Sequence, residues 1–214
     1  MARFLQFAGL AIGLVALTLQ FAITMPASIA AGRTVLGSVV FYFSFFTILT
    51  NIGAVLVYLQ ALRDAKSGLL GLFAGAGARG GVAVAIALVM IVYVTILAPL
   101  WQPEGLFLLC DVLLHYVTPI LYLAWWLAAG ADGSARWSDI PYWVAYPVLY
   151  LIYALARAPI AGEVPYPFLD IATKGATSVA LTSLMMTLLF LVLCVIAVVA
   201  DHGISSFRKA ARPN

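Results

Sequence analysis

Asp111 and His115 stand four residues apart within the apolar stretch Leu106 to Leu127, so a helix would stack them on one face. Thr118 and Tyr122 continue that face. An aspartate in hydrocarbon costs about 2.5–3.5 kcal/mol on insertion scales, so it must face protein or water, and such a pair marks a functional site. The chemistry it supports is proton transfer. His115 can take a proton near neutral pH, and Asp111 can hold its tautomer and stabilise the imidazolium.

A hydroxyl group to act on lies earlier in the chain. Ser44, Thr47 and Asn51 fall at i, i+3 and i+7 of another apolar stretch, one helical stripe. Thr47 becomes a nucleophile only where a neighbour accepts its proton, and His115 is the histidine at matching depth. The plainer alternatives stay open. Threonine in a membrane helix often bonds back to a carbonyl or joins two helices, and Asp111/His115 can serve packing alone. Asn51 and Ser44 suit a developing oxyanion or the same helix–helix role. Tyr146, Tyr150, Tyr153 and Arg157 share a third stripe. Tyr150 and Tyr153 can line a cavity or sit at the interface, and Arg157 can receive a carboxylate or snorkel.

The elements that must position these groups are hydrophobic spans. Of the 214 residues, 65% are hydrophobic and 9% charged, against about 25% charged in soluble domains. The class is therefore all-α, a polytopic membrane protein with one bundle of six transmembrane helices: about 4–23, 35–58, 82–100, 106–127, 142–156 and 176–200. Met25-Pro26 is expected to end the first. Its length favours a retained helix over a cleaved signal peptide, whose apolar core runs only about 7–15 residues. The third span has no charges and reads as scaffold, and the prolines of Val164-Pro165-Tyr166-Pro167 impose an extended path.

Charge and cysteine usage exclude several classes. The net charge of +3 is small and reflects loop arginines, not a nucleic-acid-binding surface. Cys110 and Cys194 each lie in an apolar segment and read as small buried hydrophobes. Two distant histidines make no metal cluster, and no cofactor is implied. With six spans, Arg3, Arg63, Lys66, Arg79, Arg136, Arg208, Lys209 and Arg212 share one side, against Arg33, Arg157 and Lys174 on the other. Both termini are therefore expected in the cytoplasm. Thr47 and His115 then lie about 18 Å and about 13 Å below the opposite face at 1.5 Å per residue.

Phe45-Phe46-Thr47 within FSFFTILTN, Leu113 to Pro119, Tyr146-Pro147 to Arg157 and Tyr166-Pro167-Phe168-Leu169 together resemble a group of small six-helix membrane proteins. That group comprises bacterial relatives of the androgen-induced membrane proteins of animals. The animal members are membrane-embedded threonine hydrolases of fatty-acid esters of hydroxy fatty acids, using one intramembrane threonine and one histidine. Carried over by motif, the resemblance implies Thr47 as nucleophile and His115 as base. Thr50 offers a second hydroxyl one turn along, and the spacing from histidine to proline departs from the animal pattern.

The leading expectation is thus an intramembrane hydrolase acting on membrane lipids or a lipid-like ester, in the inner or plasma membrane if the chain is bacterial. Catalytic roles fall to Thr47 and His115, with Asp111, Asn51, Tyr150, Tyr153 and Arg157 around the substrate. One alternative is a proton-coupled carrier using Asp111 and His115 as a relay, although no internal symmetry of the kind many transporters show is visible. A second is a non-enzymatic structural membrane protein.

Overall fold

A computed structural model describes residues 1–211, so Arg212 lies outside the described residues. The described chain is helical, without strands, and six of its helices are long and apolar enough to cross a membrane. α1 (Ala2–Ala30) leads to α2 (Val35–Phe43) and α3 (Phe46–Arg63). A one-turn α4 (Gly68–Gly71) precedes α5 (Ala76–Val92), which continues through a wide π turn (Tyr93–Leu97) to Leu100. α6 (Gly105–Val112) and α7 (Thr118–Trp125) are joined by a π turn over Leu113–Val117. α8 (Ile140–Ala161), a single turn α9 (Ile171–Lys174) and α10 (Ala176–Ala210) complete the chain.

Packing follows from which faces are apolar on both sides. α3 lies between α1 and α5, α5 packs on α7 and α10, and α8 packs on α10 and α5. The centre is filled by Val57, Tyr58, Ile86, Tyr122 and Phe190, all nearly or fully buried. Outward faces stay apolar. Leu181, Leu184, Leu188, Val192, Val195 and Val199 are exposed in one stripe of α10, a surface that suits lipid and would be a liability in water.

Three boundaries differ from the sequence reading, each for a local reason. Pro26 does not end α1, which runs on to Ala30. A proline costs one helical bond, and tertiary packing overrides it. The 35–58 span is two helices, because Phe45 is extended between α2 and α3. Ser44 and Thr47 therefore do not share a helical stripe. α8 reaches Ala161 despite Pro147 and Pro159, making a span of ordinary length where the tyrosine-rich core alone looked short.

Of the three π turns among the described residues (the third is Trp126–Gly130, after α7), the first two have a readable cause. A proline ring clashes with the carbonyl four residues back, and Pro99 and Pro119 each stand two residues beyond a wide turn. There the ladder slips by one, with the Ala98 amide donating to the Tyr93 carbonyl and the Thr118 amide to the Leu113 carbonyl. Such bulges re-aim side chains. One carries Tyr93 and the other His115.

Candidate active site

The break between α2 and α3 presents Thr47 in the first turn of a helix inside the bundle. Ser44 holds the break: its hydroxyl donates to the Val40 carbonyl at 2.6 Å and pairs with the Tyr153 hydroxyl at 2.7 Å. Tyr150 donates to the Ser44 carbonyl at 2.9 Å, and Thr50 meets the Tyr146 hydroxyl at 3.0 Å. The α8 phenols therefore brace the chain break from which Thr47 projects.

From the other side, the π turn after α6 brings His115 to the same point. Thr47 Oγ1 lies 3.3 Å from His115 Nε2. His115 Nδ1 lies 3.2 Å from Asp111 Oδ1 and 3.0 Å from the Asp111 carbonyl. With its proton on Nδ1, the ring directs its Nε2 lone pair at the threonine. Tyr93 donates to the second Asp111 oxygen, and its ring stacks on the imidazole at 3.9 Å between centroids and 14° between planes. Hydroxyl, imidazole and carboxylate thus form a chain, and the imidazole plane is set by an aromatic from α5's own π turn.

The fourth component comes from a loop. Gly162 ends α8 with φ +67, a left-handed position that favours glycine. Glu163 follows and is held by Arg33 and, at 2.9 Å, by Arg157. Burial raises the Glu163 carboxyl, but the bonds and charge of the two arginines outweigh it and hold the group below its ordinary range. Pro165 and Pro167 keep the strap extended, and Asp170 anchors its far end by accepting from the Ala172 amide at 3.0 Å. Between these anchors Tyr166 turns inward. Its hydroxyl lies 3.2 Å from Thr47 Oγ1 and accepts from the Thr47 amide at 3.2 Å.

Two cavities meet at Thr47 and Tyr166. The larger, about 510 Å³, is lined by Asp111, His115 and Tyr93 together with Phe41, Trp101 and Arg33. The smaller, about 90 Å³, is lined chiefly by apolar groups, among them Phe46, Leu88, Val92, Leu151 and Met186. The tertiary structure therefore places an ionisable pair and a hydroxyl beside open volume.

The remaining candidate residues separate. Tyr150 lines the smaller cavity. Asn51 is nearly fully buried and spends its amide between helices, donating to the carbonyls of Thr47 and Leu114 and accepting from Thr118. Tyr153 braces Ser44, and Arg157 pairs with Glu163. Cys110 and Cys194 are free and buried. Tyr93 and Tyr166 carry no role in the sequence reading. The signal for Tyr93 was the proline two residues past a wide turn, repeated at Pro99 and Pro119. Tyr166 had only its place between two prolines. Comparison with family models, curated proteins and solved structures finds no match to this chain.

Proposed function

We propose that this chain is an integral membrane hydrolase of lipid esters, with Thr47 as nucleophile and His115 as base. The observation that carries the reading is the 3.3 Å approach of Thr47 Oγ1 to His115 Nε2, with Asp111 on the opposite ring nitrogen, beside a cavity of about 510 Å³. That constellation is the one acyl transfer requires. The resemblance to the androgen-induced membrane proteins supports it and makes a fatty-acid ester of a hydroxy fatty acid the reference substrate.

The steps follow from the geometry. An ester carbonyl seated at the junction of the cavities is attacked by Thr47 Oγ1, whose proton passes to His115 Nε2. Asp111 stabilises the imidazolium through Nδ1. The developing oxyanion forms beside the first turn of α3, where the helix dipole favours negative charge, with the Tyr166 hydroxyl, which accepts from the Thr47 amide, as the donor. Collapse breaks the ester C–O bond, and the alcohol leaves with the proton from His115. Water, deprotonated by His115, then releases the fatty acid and restores Thr47. Positive residues bias both termini to the cytoplasm, so the loop residues Arg33 and Glu163 face the opposite side.

The test is hydrolysis of the reference ester by purified protein in lipid nanodiscs. Thr47→Ala and His115→Ala should each lower kcat/KM by roughly 10³-fold or more. Equal turnover by both variants and the unmodified protein removes the hydrolase reading.

A further inference from the structure

The two cavities at Thr47 are unequal, and His115 belongs to only one of them. Thr47, Tyr166 and Leu97 line both, whereas His115 and Asp111 line only the larger of the two, about 510 Å³. That placement orients an ester. The alcohol oxygen leaves with a proton from the base, so it must lie within hydrogen-bond reach of His115 Nε2. Because the base stands on the large side of Thr47, the alcohol half lies in the large cavity. The oxyanion is directed at Tyr166. The remaining substituent of the carbonyl, the acyl chain, is left with the cavity of about 90 Å³.

Size and polarity then separate the two halves of the substrate. At about 30 Å³ for a group the size of a water or a methylene, the small cavity holds a chain of about three or four carbons. The same measure gives the large cavity room for about 17 such groups, a lipid chain. Phe41, Phe45, Ile48, Leu100, Trp101 and Phe107 supply apolar surface for it. The polar side chains of the small cavity are committed elsewhere. Thr187 donates to the Ser183 carbonyl at 2.8 Å, Tyr150 donates to the Ser44 carbonyl at 2.9 Å, and the Ser183 hydroxyl is sealed from the cavity. Beyond Thr47 and Tyr166, nothing there receives a charged or hydroxylated acyl group. Leu88, Val92, Leu151 and Met186 belong to its apolar lining.

Resting on the hydrolase reading, we propose that the substrate is a short-chain ester of a long-chain lipid alcohol, and that the small cavity sets the acyl length. An unbranched acyl group of about two to four carbons fills it, bounded by Leu151 of α8 and Met186 of α10. The lipid alcohol occupies the large cavity. Leu151 and Met186 determine specificity and stand outside the hydroxyl–imidazole–carboxylate chain. Thr47 takes the short acyl group as an ester, and the lipid alcohol leaves with the proton from His115. Water then releases the short acid and restores Thr47.

The experiment compares the butyryl, octanoyl and oleoyl esters of hydroxystearic acid, the last being the reference ester, with ethyl butyrate as the short-alcohol control. From butyryl to oleoyl, kcat/KM should fall by about 10-fold or more. Ethyl butyrate should fall below the butyryl ester of hydroxystearic acid by a similar factor. Leu151→Ala and Met186→Ala each remove about three carbons' worth of side chain, so the octanoyl ester should become the preferred member in both. A flat series, an oleoyl preference, an unmoved preference in both variants, or ethyl butyrate as good a substrate as the lipid ester overturns the assignment. Binding separates this failure from failure of the hydrolase reading. In Thr47→Ala, which leaves the esters intact, the butyryl ester should raise the melting temperature more than the oleoyl ester does. Met186→Ala added to it should narrow the difference. Equal shifts, or a larger one from the oleoyl ester, sink the small-cavity assignment whatever the hydrolysis assays show. No turnover across the series, with that difference intact, removes the hydrolase reading alone.

Discussion

Asp111 is held by two neighbours of different kinds, and they divide its work. His115 meets one carboxylate oxygen and Tyr93 donates to the other, so the carboxylate is oriented before any substrate arrives. Asp111→Asn removes the charge that stabilises the imidazolium while keeping its shape. It should lower kcat by about 10²- to 10⁴-fold with little change in KM, as steady-state kinetics will show. Tyr166 acts from the opposite side of Thr47. Tyr166→Phe deletes one donor at the oxyanion and should cost about 10²-fold in kcat. If KM rises and kcat holds, Tyr166 only shapes the cavity. The Thr47–His115 pairing was suggested by residue type and depth, whereas the stacking of Tyr93 on the ring was not, since the π turn that aims Tyr93 at the imidazole does not show in the uncharged third span.

At the level of elements, the strap from Glu163 to Asp170 positions Tyr166, and the charge cluster at its root is what can be tested. The Glu163 carboxyl is held below its ordinary 4.5 by Arg33 and Arg157. A depressed carboxylate contributes stability that is fully present above 4.5 and is lost as pH falls through the lowered folded value. Melting temperature measured against pH should therefore fall below about pH 4.5 in the unmodified protein. Glu163→Gln should flatten that part of the profile. Its melting temperature at neutral pH should also drop, because two partly buried guanidinium groups lose their partner. The other end of the bundle uses a different device: Asp201 on α10 accepts from the Asp132 and Ala135 amides at 2.9 and 3.0 Å, clamping the loop that precedes α8.

Across the whole molecule, helix α8 is set by its approach to α5. Trp143 lies against Gly80 and Gly81 and donates to the Gly77 carbonyl at 2.7 Å. A Cβ at Gly81 would lie 2.7 Å from the Trp143 ring, so Gly81→Leu should overpack this contact. A loss of about 1–3 kcal/mol, read as a lowered melting temperature in detergent, is expected, together with weaker activity because α8 braces Ser44. The charge bias of the loops, with six spans, predicts both termini in the cytoplasm. Tags fused to each end should both be protected from protease in sealed spheroplasts; cleavage of both would refute the charge-based orientation, and cleavage of only one would refute the even number of spans.

What the sequence determined by itself was what short-range physics dictates. Apolar runs of membrane length made the six helices long enough to span, and spacing of four put Asp111 over His115. The cost of charge in hydrocarbon singled that pair out. Tertiary structure decided the rest, because it depends on which helices are neighbours. The break at Phe45 is stabilised by α8 tyrosines more than 100 residues away, so a local reading ran one helix through it. The inward turn of Tyr166 and the two cavities that meet at Thr47 exist only once α1, α3 and the strap surround the same space.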